Sequence, residues 1–504
     1  MAEAGARPRL AEREPPVAAV RTRTADLAGP APRVDVRTKL LYAVGDVSNS
    51  VKTALAALFG FYFYTSVMGL PASLAGIAGG IGLAWDAAID PYIGHLSDKA
   101  RLPWGRRHTF MLAGALTMGV GFWVSFAPPR GLSASGLFLW LLGTGFLVRT
   151  STSVFRVPYF ALGAELSRDY DERTSVTAFR GFLAVVGALA AGSLSFVLFF
   201  PNRQPGLDPK LNYTGYPAMG LAFGAVMTIV SLLATFGTWS WRGASPGGAE
   251  APAPAPQRFF AGFTRSLGNA SFRALFVSCS LFHLGISMSA ALSIHFLTYY
   301  ARVTDSAALG SFQLAFYLAG LAGVVFWLRV SRVMEKNRLY LLGTLATAAA
   351  MLAVFFLVGE GHLLGTGNVR ALLVGHALVG FFGSTLWFVP PTLIADVVDE
   401  DELATGERRE GSFFGLYSFG QQLATGVALL LTGILVERFA RLVPGQPVQS
   451  VQTAWRIGLL YGVVPAALVA AAAAAALPYR VGRREMADIQ LALARRRSLM
   501  GYDR

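Results

Sequence analysis

Twelve runs of mainly apolar residues follow one another along the chain, each near the 20 or so residues needed to cross a lipid hydrocarbon core. They fall near residues 40–64, 72–96, 109–128, 134–164, 176–200, 216–240, 273–300, 307–328, 339–359, 370–397, 412–436 and 455–478. This recurrence predicts an all-α membrane protein of twelve transmembrane helices. The longest polar interruption, between the sixth and seventh runs, contains Ala251-Pro252-Ala253-Pro254-Ala255-Pro256, a composition that makes an extended linker. The expected organisation is a disordered basic segment (1–38), a six-helix bundle (39–241), a Pro/Ala-rich linker (242–270), a second six-helix bundle (271–479) and a basic tail (480–504). Paired bundles with a midplane site between them are a transporter architecture.

Composition sharpens this picture. Of 504 residues 54% are hydrophobic and only 14% charged, against roughly 25% charged in ordinary soluble domains. A formal net charge of +14 admits a nucleic-acid partner until the basic residues are placed. Of the 43 Lys and Arg, 31 lie on the side that holds both termini, seven on the other, and five at membrane depth: Lys52, Arg149, Arg156, Arg180 and Arg456. That bias puts both termini in the cytoplasm and accounts for the charge without nucleic acid. The leading segment, rich in Ala, Pro and Arg, lacks the apolar core of a secretory signal. A multi-pass protein of the plasma membrane, in a bacterium the inner membrane, is expected, in contact with lipid and acting as a monomer. The single Cys279 excludes an intramolecular disulfide. Phosphate-loop, His-Glu-x-x-His and Gly-x-Ser-x-Gly motifs are absent from the sequence, so no enzyme is expected and no cofactor beyond a coupling ion.

Ionisable residues inside spans are costly and functional by default. Asp86 and Asp90, four apart in the second span, place two carboxylates on one helix face. A bound cation or a shared proton would relieve their repulsion; a salt bridge to Lys52, Arg149 or Arg156 would do so as well. Asp46 in the first span is a third carboxylate. Arg149 and Arg156 in the fourth span are seven apart and share a face, and Arg180 lies in the fifth. Each arginine needs either a bound anion, which its planar fork suits, or a carboxylate among Asp46, Asp86, Asp90 and Glu165. His283, His295 and His376 are expected as packed, hydrogen-bonded histidines. Pro390-Pro391 is expected to break the tenth span. Phe160 and Trp387 are available to stack on a substrate ring.

Four segments together resemble the glycoside–pentoside–hexuronide:cation symporter family of the major facilitator superfamily. These are Trp85-Asp86-Ala87 with Asp90-Pro91 running on to Gly105-Arg106-Arg107; Val157-Pro158-Tyr159-Phe160-Ala161-Leu162 with Glu165; Asp169-Tyr170-Asp171-Glu172-Arg173-Thr174 leading to Arg180; and Ala395-Asp396-Val397-Val398-Asp399 through Arg408-Arg409-Glu410-Gly411. The resemblance implies alternating-access symport of a small solute with a monovalent cation, Na+ or H+. It implies a cation site at Asp86, Asp90 and Ser153, and a gating latch of Asp98 with Arg106 and Arg107. Ile89 stands where the family places an ion-site Asn. Ser50 and Arg156 stand at its sugar-binding carboxylate positions, and Gln422 at a Lys position of span eleven. Those departures favour an anionic, sugar-like solute held by Asp46, Ser50, Arg149, Arg156, Phe160, Arg180, Trp387 and Gln422. A lysophospholipid-like cargo and uncoupled lipid scrambling remain alternative expectations.

Overall fold

The computed structural model describes residues 34–100, 102–167, 169–202, 208–242 and 264–499. Most of the expected basic segment and the Ala-Pro repeats therefore lie outside the described residues. The described part is helical throughout, and ten of its helices are long and apolar enough to cross a membrane. The other two spans are the third, His108–Ser125, with 18 residues, and the first, which is assembled from shorter pieces. That first span runs through Val36–Ala43 and Gly45–Leu55, then two wide π turns, Ala56–Gly60 and Phe63–Val67. Asp46 and Lys52 interrupt its apolar surface. The remaining spans are Ala72–Lys99, Ala134–Glu165, Tyr170–Phe199, Gly215–Gly237, Ala270–His295 with the π turn Phe296–Tyr300, Ser306–Val330, Lys336–Leu357, Val369–Thr405, Glu410–Leu435 with Val436–Ala440, and Val451–Ala476.

Three departures from the sequence reading have physical causes. The tenth span is helical through Pro390 and Pro391, and its discontinuity lies at Ser384, between Val369–Gly383 and Thr385–Thr405. Each proline crowds the carbonyl four residues earlier, here Leu386 and Trp387, so the distortion moves toward the N-terminal side. Arg456 sits not at depth but near a span end, in Val451–Gly458. There it donates to the Phe439 carbonyl at 3.0 Å and lies 5.5 Å from that ring. The basic tail forms a helix, Arg483–Leu499, which buries Leu493 and packs on the tenth span.

The loop after the second span and the helical tail share one face of the molecule, called here the basic face. Links between the two halves gather at the opposite face. Thr65 in the first span meets His295 in the seventh at 3.0 Å. Asn202 donates to Asp305 at 2.6 Å, and the Ser73 amide donates to Glu437 at 2.9 Å. The second and eleventh spans cross at Gly76 and Gly433, where a Cβ on Gly433 would strike the Ala72 carbonyl and one on Gly76 would come within 2.7 Å of the Leu429 carbonyl. Only glycine permits that approach of two backbones. These contacts seal the opposite-face end of the cleft between the bundles.

Candidate functional site

Three arginines and three carboxylates at membrane depth pair one to one. Arg149 donates to Asp86. Arg156 donates to Asp90 at 2.6 Å, and the Ser153 hydroxyl donates to the same carboxylate. Arg180 donates to Asp46 at 2.9 Å. The second and fourth spans run in the same direction, so the pairs form a ladder. Four residues advance a helix by about 6 Å and seven by about 10.5 Å, and the long arginine side chains absorb the difference. Gly82, one turn before Asp86, leaves the space Arg149 uses: a Cβ there would lie 2.6 Å from its Nε. Trp85 donates to Thr150 at 2.9 Å and ties the same two helices together.

Aromatic residues hold the third pair. Tyr42 and Tyr159 stack at 4.5 Å, and each hydroxyl donates to the other's carbonyl at 2.9 Å. This clasp fixes the first span on the fourth. The Phe160 ring lies 4.3 Å from the Arg180 guanidinium and 5.9 Å from that of Arg156. Phe160 keeps 41% of its surface exposed, as does Trp387 from the other half, so both offer open ring surface.

Ser50 donates to the Val47 carbonyl within its own helix and packs where Gly187 makes room on the fifth span. Gln422 is half-buried on the eleventh span. The predicted latch lies inside the first bundle, at its basic-face end. Arg107 pairs with Asp98, Arg106 reaches Glu165 at 2.7 Å, and Arg107 reaches it at 3.3 Å. Glu165 is thus a partner of the latch and not of Arg156. The three histidines are hydrogen-bonded: His283 to the Cys279 carbonyl and His376 to that of Leu372, at 2.9 and 2.8 Å, and His295 to Thr65.

Lys52 is the residue that the expected site set left out. It is partly buried and lies within electrostatic reach of Asp86, Asp90, Arg149 and Arg156. Among the described residues it forms no ion pair. Its signal in the sequence is the same as that of the arginines: a lysine inside an apolar run.

The sequence pattern of the MFS/sugar transport protein family matches residues 41–483. An uncharacterised symporter of Synechocystis sp. (strain ATCC 27184 / PCC 6803 / Kazusa) is 26% identical, over 92% of this chain and 98% of that relative. A putative sulfoquinovose importer of Escherichia coli (strain K12) is 24% identical, over 80% of this chain and 82% of its own. Among solved structures, a bacterial homologue of the human lysosomal transporter Spinster, in an inward-facing and unoccupied conformation, superposes with a TM-score of 0.62. It is 14% identical and covers 89% of this chain and 98% of that one, a likeness that speaks to the fold alone. The chain is a multi-pass membrane transporter that belongs to the MFS/sugar transport protein family, within the glycoside–pentoside–hexuronide:cation symporters of the major facilitator superfamily.

Proposed function

We propose that the protein moves an anionic, sugar-like solute together with Na+ or H+, and that the ion-pair ladder is the coupling device. The observation behind this reading is that Asp86 and Asp90 are already matched to Arg149 and Arg156. An anion that took the two arginines alone would strand two carboxylates at membrane depth. A cation or proton that took the carboxylates alone would strand two guanidiniums. Leaving one member of a buried pair uncompensated costs about 3–5 kcal/mol. Cation and anion arriving together leave every group partnered, so each raises the affinity for the other. Reciprocity of that kind is what couples two binding sites.

In this reading Ser153 supplies a hydroxyl to the cation or to the proton-carrying Asp90. The solute's ring lies on Phe160, with Trp387 closing from the second bundle and Arg180 held ready by Asp46. Ser50 and Gln422 line the solute side of the cleft. The opposite-face seal leaves the basic face as the route to the site in this conformation, and the excess of Lys and Arg there marks it as cytoplasmic. Both termini then lie in the cytoplasm, and the chain resides in the plasma membrane as a monomer. Asp98, Arg106 and Arg107 act as the gating latch when the cleft closes on that side.

The test is uptake of glucuronate and of methyl galactoside into proteoliposomes under imposed sodium or proton gradients. Gradient-driven accumulation of glucuronate is expected, together with its loss in Arg156→Gln. Preferential uptake of the neutral glycoside would overturn the anionic assignment. Accumulation that survives Asp90→Asn would overturn the coupling scheme.

A further inference from the structure

The basic-face end of the first bundle holds a cavity of about 610 Å³. Lys99 at the end of the second span, Arg106 and His108 where the third begins, and Arg242 after the sixth stand on its wall. Gly105 lets these ends meet. Its φ is +88°, and a Cβ on it would lie 2.5 Å from the Arg242 carbonyl, so no other residue suits the place. The wall also carries two carboxylates, Asp98 and Glu165, but Arg107 and Arg106 already hold them. Lys99 and Arg242 form no ion pair among the described residues. No side chain caps the first turn of the third span, and an uncapped helix start beside free cations attracts an anion.

His108 narrows the choice of anion. The side chain is 1% exposed. Its Nε2 lies 3.0 Å from the Thr238 carbonyl and 3.1 Å from the Thr238 hydroxyl. That hydroxyl already donates to the Ala234 carbonyl at 2.8 Å, so Nε2 carries the ring proton. In the neutral ring Nδ1 is then an acceptor, and it is buried with no hydrogen-bond partner. We propose that the cavity binds a phosphate group that brings an O–H: Lys99, Arg242 and the helix start take its charge, and His108 Nδ1 accepts its hydroxyl. Sulfate has the same shape and at least the same charge, but no proton to donate. Asp98 lies eight residues beyond Asp90, about 12 Å along the helix. The site therefore stands apart from the ion-pair ladder and depends on neither the solute nor the coupling scheme. Two sources offer this chemistry: free hydrogenphosphate, and the headgroup of phosphatidylglycerol, which joins a phosphate to hydroxyls.

The experiment is calorimetric titration of the purified full chain in neutral detergent at pH 7.5, with inorganic phosphate and separately with sulfate. Phosphate should bind about tenfold more tightly, in keeping with one hydrogen bond to a charged partner. His108→Leu should bind the two anions alike. Lys99→Gln combined with Arg242→Gln should weaken both by about tenfold or more; both side chains are exposed, and an unchanged unfolding temperature would show that the fold is intact. Absence of phosphate binding, or binding that the double variant does not weaken, overturns the site. Wild-type binding of sulfate as tight as that of phosphate overturns the role of His108 and the choice of ligand. Lipid discs separate the two sources: phosphate binding retained in phosphatidylcholine discs and lost in phosphatidylglycerol discs assigns the site to the headgroup, and binding in both assigns it to free phosphate.

Discussion

The two bundles repeat one architecture but hold their charges at different depths. In the first, three acid–base pairs and Lys52 lie within the spans, and a second cluster of Asp98, Arg106, Arg107 and Glu165 ties the basic-face ends. The second bundle has a matching end cluster, with Arg409 forked onto Asp401 at 2.6 Å and Lys336 on Asp396 at 2.7 Å. Its interior presents only neutral groups, among them Gln421, Gln422, His283 and Trp387. The lesson is a division of labour. One half pairs its charges within the spans, and the other presents a neutral wall, which under the proposed function can rock over the site without dragging unpaired charges through an apolar interface.

Four substitutions press on that division, the largest effect first. Asp90→Asn in the first half takes the carboxylate from Arg156 and removes the proposed seat of the cation. Concentrative uptake should vanish, and the enhancement of solute binding by cation should fall from roughly 5–150-fold to none, read by uptake and by binding with and without Na+. Asp401→Asn in the second half frees Arg409 from a carboxylate that is 4% exposed. It should lower stability by about 1–3 kcal/mol, visible as a lower unfolding temperature, with solute affinity unchanged; a loss of affinity as steep as that of Asp90→Asn would break the comparison. Trp387→Ala removes a ring of the neutral wall and should weaken solute binding by about five- to tenfold, in keeping with about 1 kcal/mol for an aromatic contact, while leaving cation affinity alone. Thr65→Val deletes the hydrogen bond to His295 and should cost the opposite-face seal about 1 kcal/mol. Faster labelling of Ser193→Cys would report it, because Ser193 lies in the fifth span below Asn202 with its carbonyl against Gly310 of the eighth.

Much of this arrangement is visible in the residues themselves. The lipid core demands long apolar runs, so span positions follow within a few residues, and any charge inside a run stands out. Asp46, Asp86, Asp90, Arg149, Arg156 and Arg180 are legible for that reason. Which arginine takes which carboxylate is not, because it depends on the relative height of two helices that no local pattern encodes. Lys52 is visible as a charge, but its lack of a partner emerges only once all three carboxylates are assigned. Pro390 and Pro391 mislead about place, because proline acts on the preceding turn and neighbouring packing decides where the helix yields. Arg456 misleads through depth, since a helix start near the interface can carry a guanidinium out to a backbone carbonyl.

The π turns carry a consequence for how this protein tolerates change in length. Thr65 lies within the turn Phe63–Val67, and His295 immediately precedes the turn Phe296–Tyr300. A π turn spends about one residue more than an α turn on nearly the same rotation, so losing one residue there would relax it to regular helix and leave the chain beyond on the same face. A one-residue deletion in either turn that spares Thr65 should therefore be tolerated. The same deletion in the regular helix Gly45–Leu55, between Asp46 and Lys52, would swing everything beyond it by about 100° and set the seal out of register with the ion-pair ladder.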